Sequence, residues 1–277
     1  LEANELVRLA KAAGMKYLFI TAKYCEGFSL YHSEVSEFNI MDASPYKKDI
    51  VKALSKACQQ NDIKFGFYYP QEFEWRHPDA RGNTWDYPGH EKKLSNYIEQ
   101  MVKPQLKELL TGYGPISIVW FDVPQWITAT QSRELVELVH EYQPNCLVNG
   151  RVGNNMGDYL SMGDHEVPET IPDKPFEVPF THNDSWGYNQ FDKNYKSPSR
   201  VIDILVSTRA KGGNLLFNVG PDGKGNIPAI SKKVLLEVGT WIDRNTEAIY
   251  GTRPSPFPDL SWGYCTAKPG IFYFHVL

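Results

Sequence analysis

Short apolar runs in this chain are followed at once by residues able to do chemistry, and those residues are mostly carboxylates and aromatics. Lys23, Tyr24, Cys25 and Glu26 follow the run at 17–22, while Tyr69, Gln71, Glu72, Glu74, Trp75 and His77 follow the run at 64–68. Asp122 closes the run at 116–121, and Asn149 and Arg151 follow 146–148. The irregular stretch beyond them carries Asp164, His165, Glu166, Glu169 and Glu177. Such a set fits hydrolysis of a glycoside, where two carboxyl groups work on opposite sides of an anomeric carbon and aromatic faces hold the ring. Asp122 is the sharpest residue in it. An ionised carboxylate directly after Ile-Ser-Ile-Val-Trp-Phe is costly unless paired or functional, although an Asp there can equally cap the next loop.

Several other chemistries find no support in the pattern. The glycine-rich segment 219–225 lacks the G-x-x-x-x-G-K-[ST] spacing of a phosphate loop and reads as a βα turn. His77 and the Asp164-His165-Glu166 triplet have no paired-ligand spacing, so no metal is expected, nor an organic cofactor. Cys25, Cys58, Cys146 and Cys265 form no C-x-x-C pair and read as isolated thiols. Cys25 has no adjacent His to activate it. The formal charge of −4 argues against a nucleic-acid partner, since the basic residues are scattered among acids. No apolar stretch approaches the roughly 18 residues of a membrane span. Aromatics reach 13% of the chain, and Trp75, Trp85, Trp126 and Trp186 are candidate sugar platforms or candidates for core packing.

The elements that must position these residues alternate. Helical periodicity at 5–13 precedes the strand-like run 17–22. Ser44-Pro45 is expected to start a helix whose buried face is Ile50, Val51, Leu54, Ala57 and Cys58. A strand at 64–69 leads to a long helix through Leu94, Tyr97, Ile98, Met101 and Val102, bent or restarted at Pro104. A buried strand at 116–121, a helix capped by Ser132 and a short strand at 146–148 follow. The segment 151–195 is irregular, with extended pieces expected at 164–167 and 177–181. A helix at 199–211, a strand at 215–219 and a helix buried through Val234, Leu235, Val238, Trp241 and Ile242 complete the alternation. Strands separated by helices imply a mostly parallel sheet, and their continuous apolar character suits a (β/α)8-like TIM barrel. Because the chain opens on a helix, the barrel's first strand is expected upstream of Leu1. Alternating Phe272, Phe274 and Val276 announce β-structure after the barrel.

The segments AKAAGMKYLFITAKYCEGFSLYHSEVSEFNIMDASPYKKDIVKAL, KFGFYYPQEFEW, GPISIVWFD, VNGRVG, GDHEVPE, NDSWGY and GGNLLFNVGPDGKGNIP, in that order, resemble the α-L-fucosidases of glycoside hydrolase family 29. The resemblance covers essentially the whole chain. It implies a barrel catalytic domain at 1–250, and at 251–277 a linker with the first strands of a truncated β-sandwich. It also implies a retaining exo-glycosidase acting on fucosylated oligosaccharides or glycoconjugates, with secretion, the periplasm or the lysosome as fitting locations. By the same resemblance Asp122 matches the nucleophile and Glu169, ending GDHEVPE, the acid/base, with Glu177 as the alternative. Tyr24, Cys25, Tyr69, Trp75, Arg151 and Trp186 would form the sugar subsite, with Arg151 keeping the Asp122 carboxylate charged. One departure is marked. Where the family carries T-A-K-H-H-D-G-F, this chain reads Thr21-Ala22-Lys23-Tyr24-Cys25-Glu26-Gly27-Phe28, so both sugar-binding His residues are replaced. A glycosidase for a related L-sugar and a sugar-binding pseudoenzyme therefore stand as alternatives.

Overall fold

The computed structural model describes residues 2–257 and 260–276, so Leu1, Pro258, Asp259 and Leu277, which fall within the two expected domains, lie outside the described residues. The chain divides into two compact units, Lys16–Asp158 and the remainder. Its first element, α1 (Ala3–Ala12), belongs to the second of these.

In Lys16–Asp158, strands β1 (Tyr17–Thr21), β2 (Lys64–Tyr69), β3 (Ile118–Phe121) and β4 (Leu147–Val148) pair in parallel in that order. The crossovers that parallel pairing requires contain α2 (Ile50–Asn61), then α3 (Leu94–Tyr97) running on into α4 (Lys103–Gly112), then α5 (Ala129–Tyr142). Every residue of β3 is buried. Gly66 lets β2 approach β3 closely, since a Cβ there would lie 2.4 Å from the Ile118 carbonyl oxygen.

Two helix starts differ from expectation. α2 begins at Ile50 because Asp49, not Ser44, is the cap, its carboxylate accepting from the Lys52 N–H at 2.8 Å. Ser44 instead donates its hydroxyl to the Ile40 carbonyl. α5 is capped by Thr128, which exchanges hydrogen bonds with Gln131 in a capping box. Ser132 lies inside that helix, donating to the Val152 carbonyl at 2.9 Å. The bend expected at Pro104 takes the form of a π-helical turn at Ile98–Val102 immediately before α4. Widening there relieves the clash between the proline ring and the carbonyl four residues back.

The second unit holds the parallel set β5 (Leu160–Ser161), β6 (Phe176–Thr181) and β7 (Asn214–Asn218). Helix α6 (Pro198–Ala210), capped by Ser197, joins β6 to β7. Phe176, Val178, Phe180 and Ile204 make one core. Val201 packs with Val234, Val238 and Ile242 of α7 (Ala229–Arg244) in another. Gly239 lets α7 meet α1, since a Cβ would fall 1.9 Å from the Ala12 carbonyl oxygen. After α8 (Thr246–Ile249), β8 (Gly263–Lys268) and β9 (Ile271–Val276) form an antiparallel hairpin. The extended piece expected at 164–167 is a turn. His165 sits there at φ 63°, in the left-handed region, and β5 lies earlier.

Candidate functional site

Asp122 stands directly after β3, at the carboxyl ends of the parallel strands of its unit. Its Oδ1 accepts from Arg151 Nη1 at 3.1 Å, and its Oδ2 accepts from the Tyr68 hydroxyl at 3.0 Å. Both side chains of the ion pair are about four-fifths buried, with 21% of Arg151 and 18% of Asp122 exposed. The register explains the grouping. Tyr68 lies beside Trp120, and Asp122 follows two residues later on the same face. Ring contacts continue across that face, with Tyr68 stacked 5.7 Å from Trp120, Tyr24 tilted 5.7 Å from Tyr68, and the Arg151 guanidinium 4.8 Å above Trp120.

That alternation corrects one assignment. Tyr69 points to the opposite face, is fully buried and donates its hydroxyl to Gln105 Oε1 at 2.7 Å. Tyr68 is the residue that reaches Asp122, and no sequence signal marks it, because its face is set by the pairing of β2 with β3.

Tyr24 and Cys25 follow β1, Tyr24 half-exposed and Cys25 partly buried. Burial, aided by the charges of Glu26 and Asp122, pushes the Cys25 thiol up to about 11, so it remains a neutral thiol near neutral pH. Burial first, then Cys25 and Asp122, also raises the Tyr24 phenol, and Tyr68 is raised by burial and by Asp122. Both phenols therefore stay protonated donors. Trp75 is exposed beside them, its main-chain N–H donating to the Cys25 carbonyl at 2.7 Å and its ring edge-on to Trp85.

Beneath this loop lies a charge pair that sequence reasoning missed. Lys23 is buried, donating to Glu74 Oε2 at 2.6 Å and to the Tyr97 hydroxyl at 2.8 Å, with its ammonium over the Tyr69 ring. Burial lowers the Lys23 pKa, and Glu74 opposes that shift.

In the second unit Glu169 is exposed, its main-chain carbonyl accepting from Lys211 Nζ at 2.7 Å. Trp186 is exposed and stacks on His165 at 5.7 Å with planes 10° apart. His165 is steadied by the Thr181 N–H, which donates to its Nε2 at 3.2 Å. Glu177 is buried near the amino-terminal end of β6, with the Tyr159 hydroxyl 3.5 Å from its Oε2. Among the described residues no group of three or more His, Cys, Asp or Glu converges as metal ligands, and no helix is long and apolar enough to cross a membrane.

An alpha-L-fucosidase family model matches residues 1–247. The chain belongs to that family. Among relatives, a putative alpha-L-fucosidase of Caenorhabditis elegans is 34% identical over 270 residues, covering 91% of this chain and 53% of its own length. Among solved structures, alpha-L-fucosidase AlfC from Lactobacillus casei in complex with its alpha-L-fucose product aligns with a TM-score of 0.84 at 37% identity, over 89% of this chain and 81% of that one. Alpha-L-fucosidase from Vibrio sp. strain EJY3 aligns with a TM-score of 0.94 at 35% identity, over 100% of this chain and 50% of that one. The chain thus spans about half the length of the curated fucosidases it matches. Their shared family places the α/β organisation described above among glycoside hydrolases.

Proposed function

We propose that the chain carries the catalytic part of a retaining exo-α-L-fucosidase. The observation that carries this reading is the Asp122 carboxylate, held between Arg151 and Tyr68 at a strand end beside the exposed ring of Tyr24. In the first step an Asp122 oxygen attacks the anomeric carbon, the bond to the leaving oxygen breaks, and Glu169 gives that oxygen its proton. Water then attacks the same carbon, Glu169 takes the water proton, and the ester to Asp122 breaks, restoring both carboxyl groups. Glu169 is preferred over Glu177 because Glu177 lies buried at the amino-terminal end of its strand, whereas catalytic groups of such folds gather at the carboxyl ends. The exposed rings of Trp75 and Trp186 serve as sugar contacts. Tyr24 and Cys25 occupy the positions of the family's His pair, and with one phenol and one neutral thiol there, a glycosidase for a related L-sugar is the alternative reading.

The architecture proposed with this function is a (β/α)8-like barrel over 1–250, with 251–277 opening a β-domain. Parallel strands with helical crossovers in both units support it, as does the antiparallel β8–β9 hairpin.

The test is hydrolysis of aryl α-L-fucosides and related aryl L-glycosides by the protein and by Asp122→Ala, with proton NMR of the first anomer released. Retention is expected, with a loss on the order of 10³-fold or more in Asp122→Ala. An unimpaired variant, an inverted product, or a wild type that binds sugars yet cleaves none of the panel overturns the proposal.

A further inference from the structure

We infer that Gln71 and Glu72, in the turn after β2, are positioning residues that hold the backbone around Asp122 in its reactive setting. The inference rests on the fucosidase reading. Gln71 is fully buried and belongs to no regular element. Its Oε1 accepts from the Asp122 N–H at 3.0 Å and its Nε2 donates to the Arg151 carbonyl at 2.9 Å. One side-chain amide therefore joins the main chains of the two residues whose side chains form the ion pair. Asn149 continues the tie on the other side, accepting from the Phe121 N–H at 2.8 Å and donating to the Phe121 carbonyl at 2.9 Å.

Glu72 holds the far end of the same loop. Its carboxylate is completely buried and accepts from three successive main-chain N–H groups, those of Gln125, Trp126 and Ile127, at 2.8 to 2.9 Å. Arg81 balances the charge at 3.1 Å and lays its guanidinium over the Trp126 ring. Such a carboxylate has no lone pair to spare for a substrate, so its function is to fix the loop.

Between the two anchors lies Val123 at φ 54°. A β-branched side chain rarely adopts that left-handed conformation, which persists only where the surroundings over-determine it. Gln71 holds the residue before it, and Glu72 the segment two residues after it. If an anchor is removed, Val123 relaxes toward an allowed region and turns the peptide that carries Asp122. Displacement of a reacting group by about 1 Å costs on the order of a hundredfold in rate.

The experiment measures kcat and KM for an aryl α-L-fucoside in the wild type, Asp122→Ala, Gln71→Ala, Glu72→Gln, and each of the latter two combined with Val123→Gly. Thermal unfolding is recorded for every variant. Gln71→Ala is expected to lose about ten- to a hundredfold in kcat with KM within about threefold, and Glu72→Gln to lose kcat in the same sense. Glycine adopts the positive φ without strain, so Val123→Gly should return at least about threefold of kcat in either background, which a merely structural defect would not allow. If Gln71→Ala does not fold, the near-isosteric Glu72→Gln and its glycine double variant decide. Wild-type kcat in both single variants, a loss confined to KM, or no recovery with Val123→Gly overturns the inference while leaving the fucosidase reading intact. An inert wild type, or an Asp122→Ala variant as active as wild type, overturns both.

Discussion

Replacing Lys23 by Met removes the ammonium that pairs with the Glu74 carboxylate, a group that has almost no access to water. The Lys23 and Glu74 side chains are 0% and 4% exposed and lie 2.6 Å apart, so solvent and salt screen their attraction little. Breaking such a pair from one side leaves an uncompensated buried charge, at a cost of about 3–5 kcal/mol. At about 2–4 °C per kcal/mol for domains of this order of size, Lys23→Met should unfold roughly 6–20 °C below wild type. Glu74→Gln should cost less, because burial already lowers the Lys23 pKa and the amine can shed its proton. The double variant leaves neither charge, so its cost should fall at least about 1 kcal/mol below the sum of the singles. Urea unfolding of the four proteins closes the cycle. Additive costs, or a Lys23→Met cost below about 1 kcal/mol, would show that the pair does not hold the loop bearing Tyr24, Cys25 and Trp75.

Two further outcomes are expected. Tyr68→Phe removes a donor to the Asp122 carboxylate, worth about 1.5–3 kcal/mol for a bond to a charged group, and should lower kcat/KM for an aryl α-L-fucoside by about 10- to 150-fold. Tyr69→Phe loses hydrogen bonds on the opposite face, to Gln105 among others, and should stay within about threefold, so equal losses in the two variants would refute the strand parity. Asp79 works against burial, which raises its pKa, yet His90, the Lys93 N–H and Asn96 together bring it down to about 2. Its depressed folded pKa contributes stability that is present above about pH 4 and lost as pH falls through about 2. With His90 41% exposed the contribution is discounted to about 1–2 kcal/mol, and Asp79→Asn should lose it at pH 7 but not at pH 2 in chemical denaturation, a pH-independent loss being the contrary result.

The alternation of strands and helices was legible because buried strands and amphipathic helices imprint different apolar periods, and Asp122 was legible because it ends the most apolar of the runs. Helix starts were not. Ser44 and Asp49 are both sound caps, as are Thr128 and Ser132, and the choice fell to tertiary contacts such as the Val152 carbonyl that takes the Ser132 hydroxyl. Tyr68 and Tyr69 are adjacent and chemically alike, so only the pairing of β2 with β3 tells which one faces Asp122. The turn at His165 escaped detection because its left-handed backbone belongs to a non-glycine residue, steadied by Thr181 and Trp186.

What separates Asp122 from its neighbours is not acidity of composition but how far each partnered carboxylate is closed off from solvent. Glu72 takes three main-chain N–H groups and an Arg, and Glu74 takes an ammonium and a phenol, both with essentially no exposure. Buried groups held in this way cannot approach a reacting carbon without abandoning partners that nothing else replaces. Asp122 has one Arg and one Tyr, keeps 18% of its side chain open, and is attached to a main chain that Gln71 and Asn149 hold from either side. The carboxylates after β2 therefore immobilise the frame, which leaves the one after β3, the proposed nucleophile, fixed in place yet partly open to solvent.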